Sequence, residues 1–184
     1  MTDSVLIIQT AFAGDLVLTT PLIEAAAVCL PRASIDVLCI PSTEGLLRNN
    51  PRIRHCIAYD KRGGEHLTGV LRRLSRIGYD LCLTPHRSMR SALLARASRA
   101  PIRVSFDRSA GGPLHTHRVP YDPKAHEVRR NLSVLAAIGC SVDADTPPRV
   151  YPGEREDVEL ARILDRLQGR AFVCVAPGSV WPTK

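Results

Sequence analysis

The run Val5-Leu6-Ile7-Ile8 has no polar alternation, so a strand built on it is dry on both faces and belongs inside a parallel sheet. It stops at a stretch of small residues ending in Ala13-Gly14. Beyond it, apolar residues recur at Leu16, Leu22, Ile23, Ala26 and Ala27, a near-helical spacing that predicts a helix over 16–30. Gly14 is expected to let the backbone turn tightly. Asp15 then falls at the N-cap or in the first turn, where a carboxylate meets unpaired N–H groups and the positive end of the helix dipole. Two readings of Asp15 stand side by side: a helix cap, or a ligand-facing acid. The second is favoured by place, because open α/β sheets bind ligands outside the carboxyl ends of their strands. It is also favoured by Leu16-Val17-Leu18, an apolar first turn that suits a packed crevice better than a solvated cap.

The remaining chain repeats this alternation. Strands are expected over 35–40, 53–59, 79–84 and 102–106, and helices over 42–47, 66–77, 88–97 and 126–138, the last closed by Gly139. Residues 107–124 read as a loop with one short strand at Arg118-Val119. Strand and helix in turn imply an α/β fold with a doubly wound, mostly parallel sheet. Asp- and Pro-rich residues 143–153 read as a linker, 154–167 as a charged helix, and 171–176 as a further buried strand turning at Pro177-Gly178-Ser179. The expected domains are 1–142, a linker and its helix over 143–168, and the first strand and loop of a second domain over 169–184. A lone strand cannot bury its own faces, so the chain is expected to be a truncated form.

Composition narrows the partners. The net charge of +7, from 25 Lys and Arg against 18 Asp and Glu, favours an anionic partner. Aromatics at 4% offer few stacking platforms, which argues against a single-stranded nucleic-acid binder. Cys29, Cys39, Cys56, Cys82, Cys140 and Cys174 form no CxxC pair, and they read as small core residues of a reducing compartment rather than as disulfides or metal ligands. The first strand starts too close to Met1 for a signal peptide, and no apolar run reaches the eighteen or so residues of a membrane span.

Four segments, in order, carry a resemblance. Gly14-Asp15-Leu16-Val17-Leu18-Thr19-Thr20-Pro21 with Pro31-Arg-Ala-Ser-Ile-Asp-Val-Leu38, then Tyr79-Asp80 entering a strand, then His126-Glu-Val-Arg-Arg-Asn-Leu132, then Ala176-Pro-Gly-Ser-Val-Trp-Pro-Thr-Lys184 together resemble the bacterial lipopolysaccharide heptosyltransferases of glycosyltransferase family 9. The resemblance implies a Rossmann-like, acceptor-binding first domain of a GT-B enzyme. That enzyme transfers heptose with inversion from ADP-heptose to the inner core of lipid A-linked oligosaccharide, at the cytoplasmic face of the inner membrane. It further implies Asp15 as catalytic base, Lys184 beside the donor phosphates as a second catalytic group, and Gly178 and Ser179 on the diphosphate. Gly14, Lys61, Arg62, Arg87 and Arg90 are expected on the acceptor side, since carboxylates and phosphates of a glycolipid suit cationic side chains.

The implied partners are a nucleotide-sugar donor and an anionic glycolipid, with peripheral membrane contact, no nucleic acid, a monomeric state and no cofactor beyond the donor substrate. The fragment itself is expected to be inactive. His115, His117, His126 and Asp122 match no zinc spacing, so no metal is expected, and His126-Glu127 reads as a helix cap. No GxGxxG follows the first strand, which argues against an NAD domain. The rival readings are a non-enzymatic basic α/β module for an anionic partner, and a family-9 transferase acting on another glycan.

Overall fold

A computed structural model describes residues 2–60, 66–141 and 146–175. The element order is β1 (Ser4–Ile8), α1 (Ala13–Val17), α2 (Thr20–Cys29), β2 (Ser34–Cys39), α3 (Pro41–Glu44), β3 (Ile53–Ala58), α4 (Leu67–Ile77), β4 (Leu81–Leu83), α5 (Met89–Ala97), β5 (Ile102–Phe106), a short 3₁₀ turn Gly112–Leu114, β6 (His117–Val119), α6 (Glu127–Ser133), a 3₁₀ segment Val134–Ile138, and α7 (Glu154–Leu167). The six strands form one sheet in the order β3-β2-β1-β4-β5-β6. All five pairings are parallel. The expected α/β class and doubly wound sheet are therefore present, with β6 as a full sixth strand at the position of Arg118-Val119.

β1 is central, and its four apolar residues are fully buried. Val5 and Ile7 face a core shared with Leu22, Ile23 and Ala26 of α2 and Val128 and Leu132 of α6, while Leu6 and Ile8 face Val70 and Leu74 of α4 and Leu94 and Ala95 of α5. Each such side chain contributes about 1.5–3 kcal/mol by leaving water. The period-2 alternation of a strand thus feeds two cores at once, which is why the run needs no polar residue.

The single helix expected over 16–30 is two helices. Pro21 sits in the first turn of α2 and has no N–H to continue a helix from α1. The carbonyls freed at the break are taken by side chains: Thr19 Oγ1 donates to the Asp15 carbonyl at 2.8 Å and Thr20 Oγ1 to that of Val17 at 2.8 Å. Gly14 lies inside α1 without a positive φ, and a Cβ there would meet nothing within 4 Å. The turn therefore does not depend on glycine, contrary to expectation. Gly139 does adopt φ 74° and ends the 3₁₀ segment that replaces the last turns of the helix expected over 126–138.

The cysteines also depart from expectation. Cys29, at the end of α2, and Cys140, just past the 3₁₀ segment, form a disulfide with Cα atoms 6.1 Å apart. Packing of α2 against the α6 segment brings the two to bridging distance, which spacing along the chain does not reveal. Cys39 and Cys82 are buried in strands as expected, whereas Cys174 is exposed.

Contacts divide the chain into Met1–Tyr151 and Pro152–Lys184. In the first unit, the backbone N–H of Arg149 donates to Thr20 Oγ1 at 2.9 Å and the Tyr151 hydroxyl to Glu24 at 2.9 Å. In the second, α7 begins with the Gly153 N–H held by Glu156. Residues 171–175 are not a strand, and Phe172, Val173 and Val175 are exposed. A strand is defined by a hydrogen-bonded neighbour, and these residues have none among the described residues.

Candidate functional site

In the order β3-β2-β1-β4-β5-β6, chain direction across the sheet reverses between β1 and β4, so the crevice outside their carboxyl ends is where this topology places a ligand. A cavity of about 510 Å³ lies there. Thr10, Ala11 and Phe12 line it from the end of β1, Ile40, Pro41 and Ser42 from β2, Asp60 from β3 and His86 from β4. Contributions from four strand ends follow from the parallel sheet, because every strand delivers its loop to the same edge.

Thr10 and His86 belong to the lining, and behind them lies a cluster of hydroxyls around the histidine. His86 Nδ1 lies 3.0 Å from Thr10 Oγ1, 2.9 Å from Ser91 Oγ and 3.5 Å from Ser88 Oγ. Ser88 caps α5, accepting the Ser91 N–H at 3.1 Å, so the helix start and the histidine share one network. These groups fix the ring plane of His86.

Asp15 stands next to this cavity without lining it. It is the third residue of α1, in the first turn, and its Oδ2 accepts the Phe12 N–H at 3.2 Å. The N-cap itself is Phe12, which makes no side-chain capping bond. The turn is secured from beneath by buried amides. Gln9 Nε2 donates to Thr19 Oγ1 at 2.9 Å, and Asn131 Nδ2, from α6, donates to the Leu18 carbonyl at 3.0 Å and reaches Thr19 Oγ1 at 3.3 Å. Asn131, within the 126–132 segment, thus ties α6 to the break between α1 and α2. His126 caps α6, its Nδ1 accepting the Val128 N–H at 3.3 Å.

Arg87 and Arg90 both lie exposed past the end of β4, on the edge that carries Asp15. The Arg87 guanidinium sits 4.0 Å over the Tyr121 ring, and that of Arg130 lies 4.7 Å from the same ring. Tyr121 in turn meets the buried Phe106 edge-on at 5.4 Å. Arg87 is therefore pre-oriented by a cation–π stack. Lys61, Arg62, Gly178, Ser179 and Lys184 lie outside the described residues. Sequence reasoning missed Thr10, Phe12, His86, Ser91 and Tyr121. The signal for His86 was present in Pro85-His86-Arg87, a polar loop directly following an apolar strand.

Of the histidines named with Asp122, His115 is buried and its ring is pushed down to about pKa 4 by burial and by Arg103 and Arg118. His117 bonds Thr116 Oγ1 through Nδ1 at 2.9 Å. Among the described residues no three His, Cys, Asp or Glu side chains are grouped to hold a metal ion.

The sequence profile of glycosyltransferase family 9 (heptosyltransferase) matches residues 68–184. The chain belongs to that family. Lipopolysaccharide heptosyltransferase 3 of Escherichia coli strain K12 is 30% identical over 139 residues, 68% of this chain and 40% of the relative. A second E. coli protein of that name is 29% identical over 185 residues, 90% of this chain and 52% of the relative. The chain thus spans about half the length of the curated relatives it matches. Among solved structures, a family 9 glycosyl transferase from Veillonella parvula DSM 2008 superposes with TM-score 0.82 at 21% identity, over 98% of this chain and 54% of that one. The E. coli heptosyltransferase WaaC with ADP gives 0.68 at 18% identity, over 78% and 51%. At these identities the structures establish the fold.

Proposed function

We propose that this family 9 chain is the acceptor-binding half of an inverting heptosyltransferase that moves heptose from ADP-heptose to the inner core of lipopolysaccharide. Residues 1–142 form the acceptor domain, 143–168 the linker, and 169–184 open the donor domain, where Gly178, Ser179 and Lys184 meet the donor diphosphate. The acceptor hydroxyl attacks the anomeric carbon of the heptose, the bond from that carbon to the diphosphate breaks, ADP departs, and the hydroxyl proton passes to Asp15. Lys184 offsets the charge growing on the diphosphate. No cofactor beyond the donor enters this scheme.

The observation that carries the reading is the placement of Asp15. A carboxylate is held by a backbone N–H at the switch point of the sheet, beside a cavity sized for sugar rings. Relatives named lipopolysaccharide heptosyltransferase 3 supply the substrate class. The net charge of +7 suits an anionic glycolipid, with Gly14, Lys61, Arg62, Arg87 and Arg90 on the acceptor side. No helix among the described residues is long and apolar enough to cross a membrane, so contact with the cytoplasmic face of the inner membrane is peripheral in this reading, made by a monomer.

The test is Asp15→Asn in the protein extended to the full length of its relatives. Turnover is expected to fall by roughly 10²–10⁴-fold, the range general-base catalysis supplies. Thermal stability should barely move, because the Asn oxygen still accepts the Phe12 N–H. Near-normal turnover at saturating acceptor would return Asp15 to a purely helix-supporting role. A panel of nucleotide sugars and acceptor glycans in the same assay separates heptose transfer to lipopolysaccharide from transfer to another glycan.

A further inference from the structure

Phe12 breaks two local rules at once. Its ring is 49% exposed, whereas the aromatic Phe106 of the same sheet edge is 1% exposed. It also occupies the N-cap of α1, a position where Ser, Thr, Asp or Asn would supply an oxygen to the helix, and it makes no side-chain capping bond there. Neither fault is repaired by packing, since Phe12 belongs to neither hydrophobic core. The Phe12 side chain thus lies in neither core and caps nothing, so packing and capping do not account for a large aromatic at this position.

Its surroundings say what does. The ring lines the cavity of about 510 Å³, and the Phe12 N–H is tied to Asp15 Oδ2 at 3.2 Å, so the aromatic residue and the carboxylate are held beside each other. Ala11, Ile40 and Pro41 extend the apolar side of the cavity, and Ser42, Asp60 and the Thr10–His86 pair supply its polar groups. An aromatic plate on an apolar side, facing hydroxyls, a carboxylate and an imidazole, fits a molecule with one C–H face and a rim of hydroxyls. That description is a pyranose ring.

We propose that Phe12 is the stacking platform for the acceptor sugar. It receives the apolar face of the ring, while the hydroxyls of that ring meet the polar lining, and so it sets the distance between the reacting hydroxyl and Asp15. This inference rests on the acceptor-domain reading above and names a residue for it. The platform's contribution is to binding and orientation, and no covalent step passes through it.

The test compares Phe12→Leu, which keeps bulk but removes the aromatic plane, with Phe12→Trp, which keeps the plane. In the full-length protein, Phe12→Leu should raise the acceptor KM by about ten- to hundredfold, the magnitude of losing a buried aromatic contact. The donor KM should be unaffected, and Tm should stay within about 1 °C because the ring lies outside both cores. Phe12→Trp should restore the acceptor KM to within a few-fold of the parent. Its indole emission, taken as the difference from the parent that already carries Trp181, should shift when a lipid A-linked oligosaccharide, or the free core oligosaccharide, is titrated in.

An unchanged acceptor KM in Phe12→Leu, equal loss in both variants, or indole emission indifferent to the oligosaccharide would each overturn the proposal. The failures are distinguishable. If Asp15→Asn abolishes turnover while Phe12→Leu is silent, the platform falls and the transferase reading stands. If the parent transfers no sugar to any acceptor, the transferase reading falls, and the indole titration still decides the platform.

Discussion

The two edges of the sheet use the same residue types for opposite ends. Toward the amino edge, two carboxylates are closed on partners. Asp80 accepts the N–H groups of Asp3 and Ser4 and the Ser4 hydroxyl, all at 2.9 Å, and so clips the start of β1 to β4. Asp36, 1% exposed within β2, receives a two-pronged Arg54 at 2.9 and 2.8 Å and the Tyr79 hydroxyl at 2.8 Å. The Cys29–Cys140 disulfide lies at the same end, where α2 finishes before β2 begins. At the carboxyl edge, by contrast, Thr10, Ser42, Asp60 and His86 border open volume, and a phenylalanine stands half in water. The lesson is one of disposition: a carboxylate surrounded by donors inside the sheet holds strands together, and a carboxylate that borders a cavity is open to a ligand. Tyr79-Asp80, part of the family resemblance, belongs to the first kind.

The sharpest way to break the comparison is to cut the amino edge and look for an effect at the other. Reducing the disulfide, or Cys29→Ser, opens a loop of sequence separation 111, for which chain entropy predicts a loss of about 4–5 kcal/mol. Denaturant unfolding with and without dithiothreitol measures it, and oligosaccharide affinity of the folded fraction should not change. A binding loss without a stability loss would mean that the edges are coupled through α6.

Asp36→Asn comes next. It removes a buried charge from Arg54 and Tyr79 and should cost about 3 kcal/mol. Burial pushes the Asp36 carboxyl up, but the Arg54 and Tyr79 hydrogen bonds and the Arg54 charge outweigh it, so the group sits below its ordinary value of 3.8. A carboxyl with a depressed folded pKa stabilises above the unfolded pKa and loses that contribution as pH falls through the folded value. The parent should therefore show an acid limb beginning near pH 4 that is shallower in Asp36→Asn, read as Tm against pH. An unaltered limb would place the acid-sensitive group elsewhere.

The smallest stability effect belongs to the carboxyl edge. Arg87→Gln loses a stack on Tyr121 worth about 0.5–1 kcal/mol. Its larger consequence should be weaker, less salt-sensitive binding of anionic glycolipid vesicles, since exposed charges are screened beyond about 8 Å at physiological ionic strength. Unchanged salt dependence would separate Arg87 from the acceptor.

The sheet was legible because buried parallel strands write themselves as unbroken aliphatic runs, as in Val5–Ile8 and Leu81–Leu83. The helix break was legible too, in Pro21, but the apolar spacing through Leu22 and Ile23 masked it. Cys29 and Cys140 could not be paired from sequence, because their meeting depends on how α2 and α6 pack. For residues 171–175 the composition was that of a strand, yet strand formation needs a neighbour that composition does not supply. The site divides similarly. Asp15 announced itself by position after a strand, whereas Phe12 passed as one more apolar residue until its exposure was known.

The central place of β1 has a consequence in time. Its partners are β2 and β4, and β4 begins at Leu81. At synthesis rates of about 5–20 residues per second, the second partner follows β1 by roughly 4–15 s. During that interval Val5, Leu6, Ile7 and Ile8 have one neighbour at most and an unpaired edge that any other extended chain can join. The earliest-made segment thus waits for a partner made much later, and the nascent chain carries an adhesive edge while the ribosome is still working on the residues that will cover it.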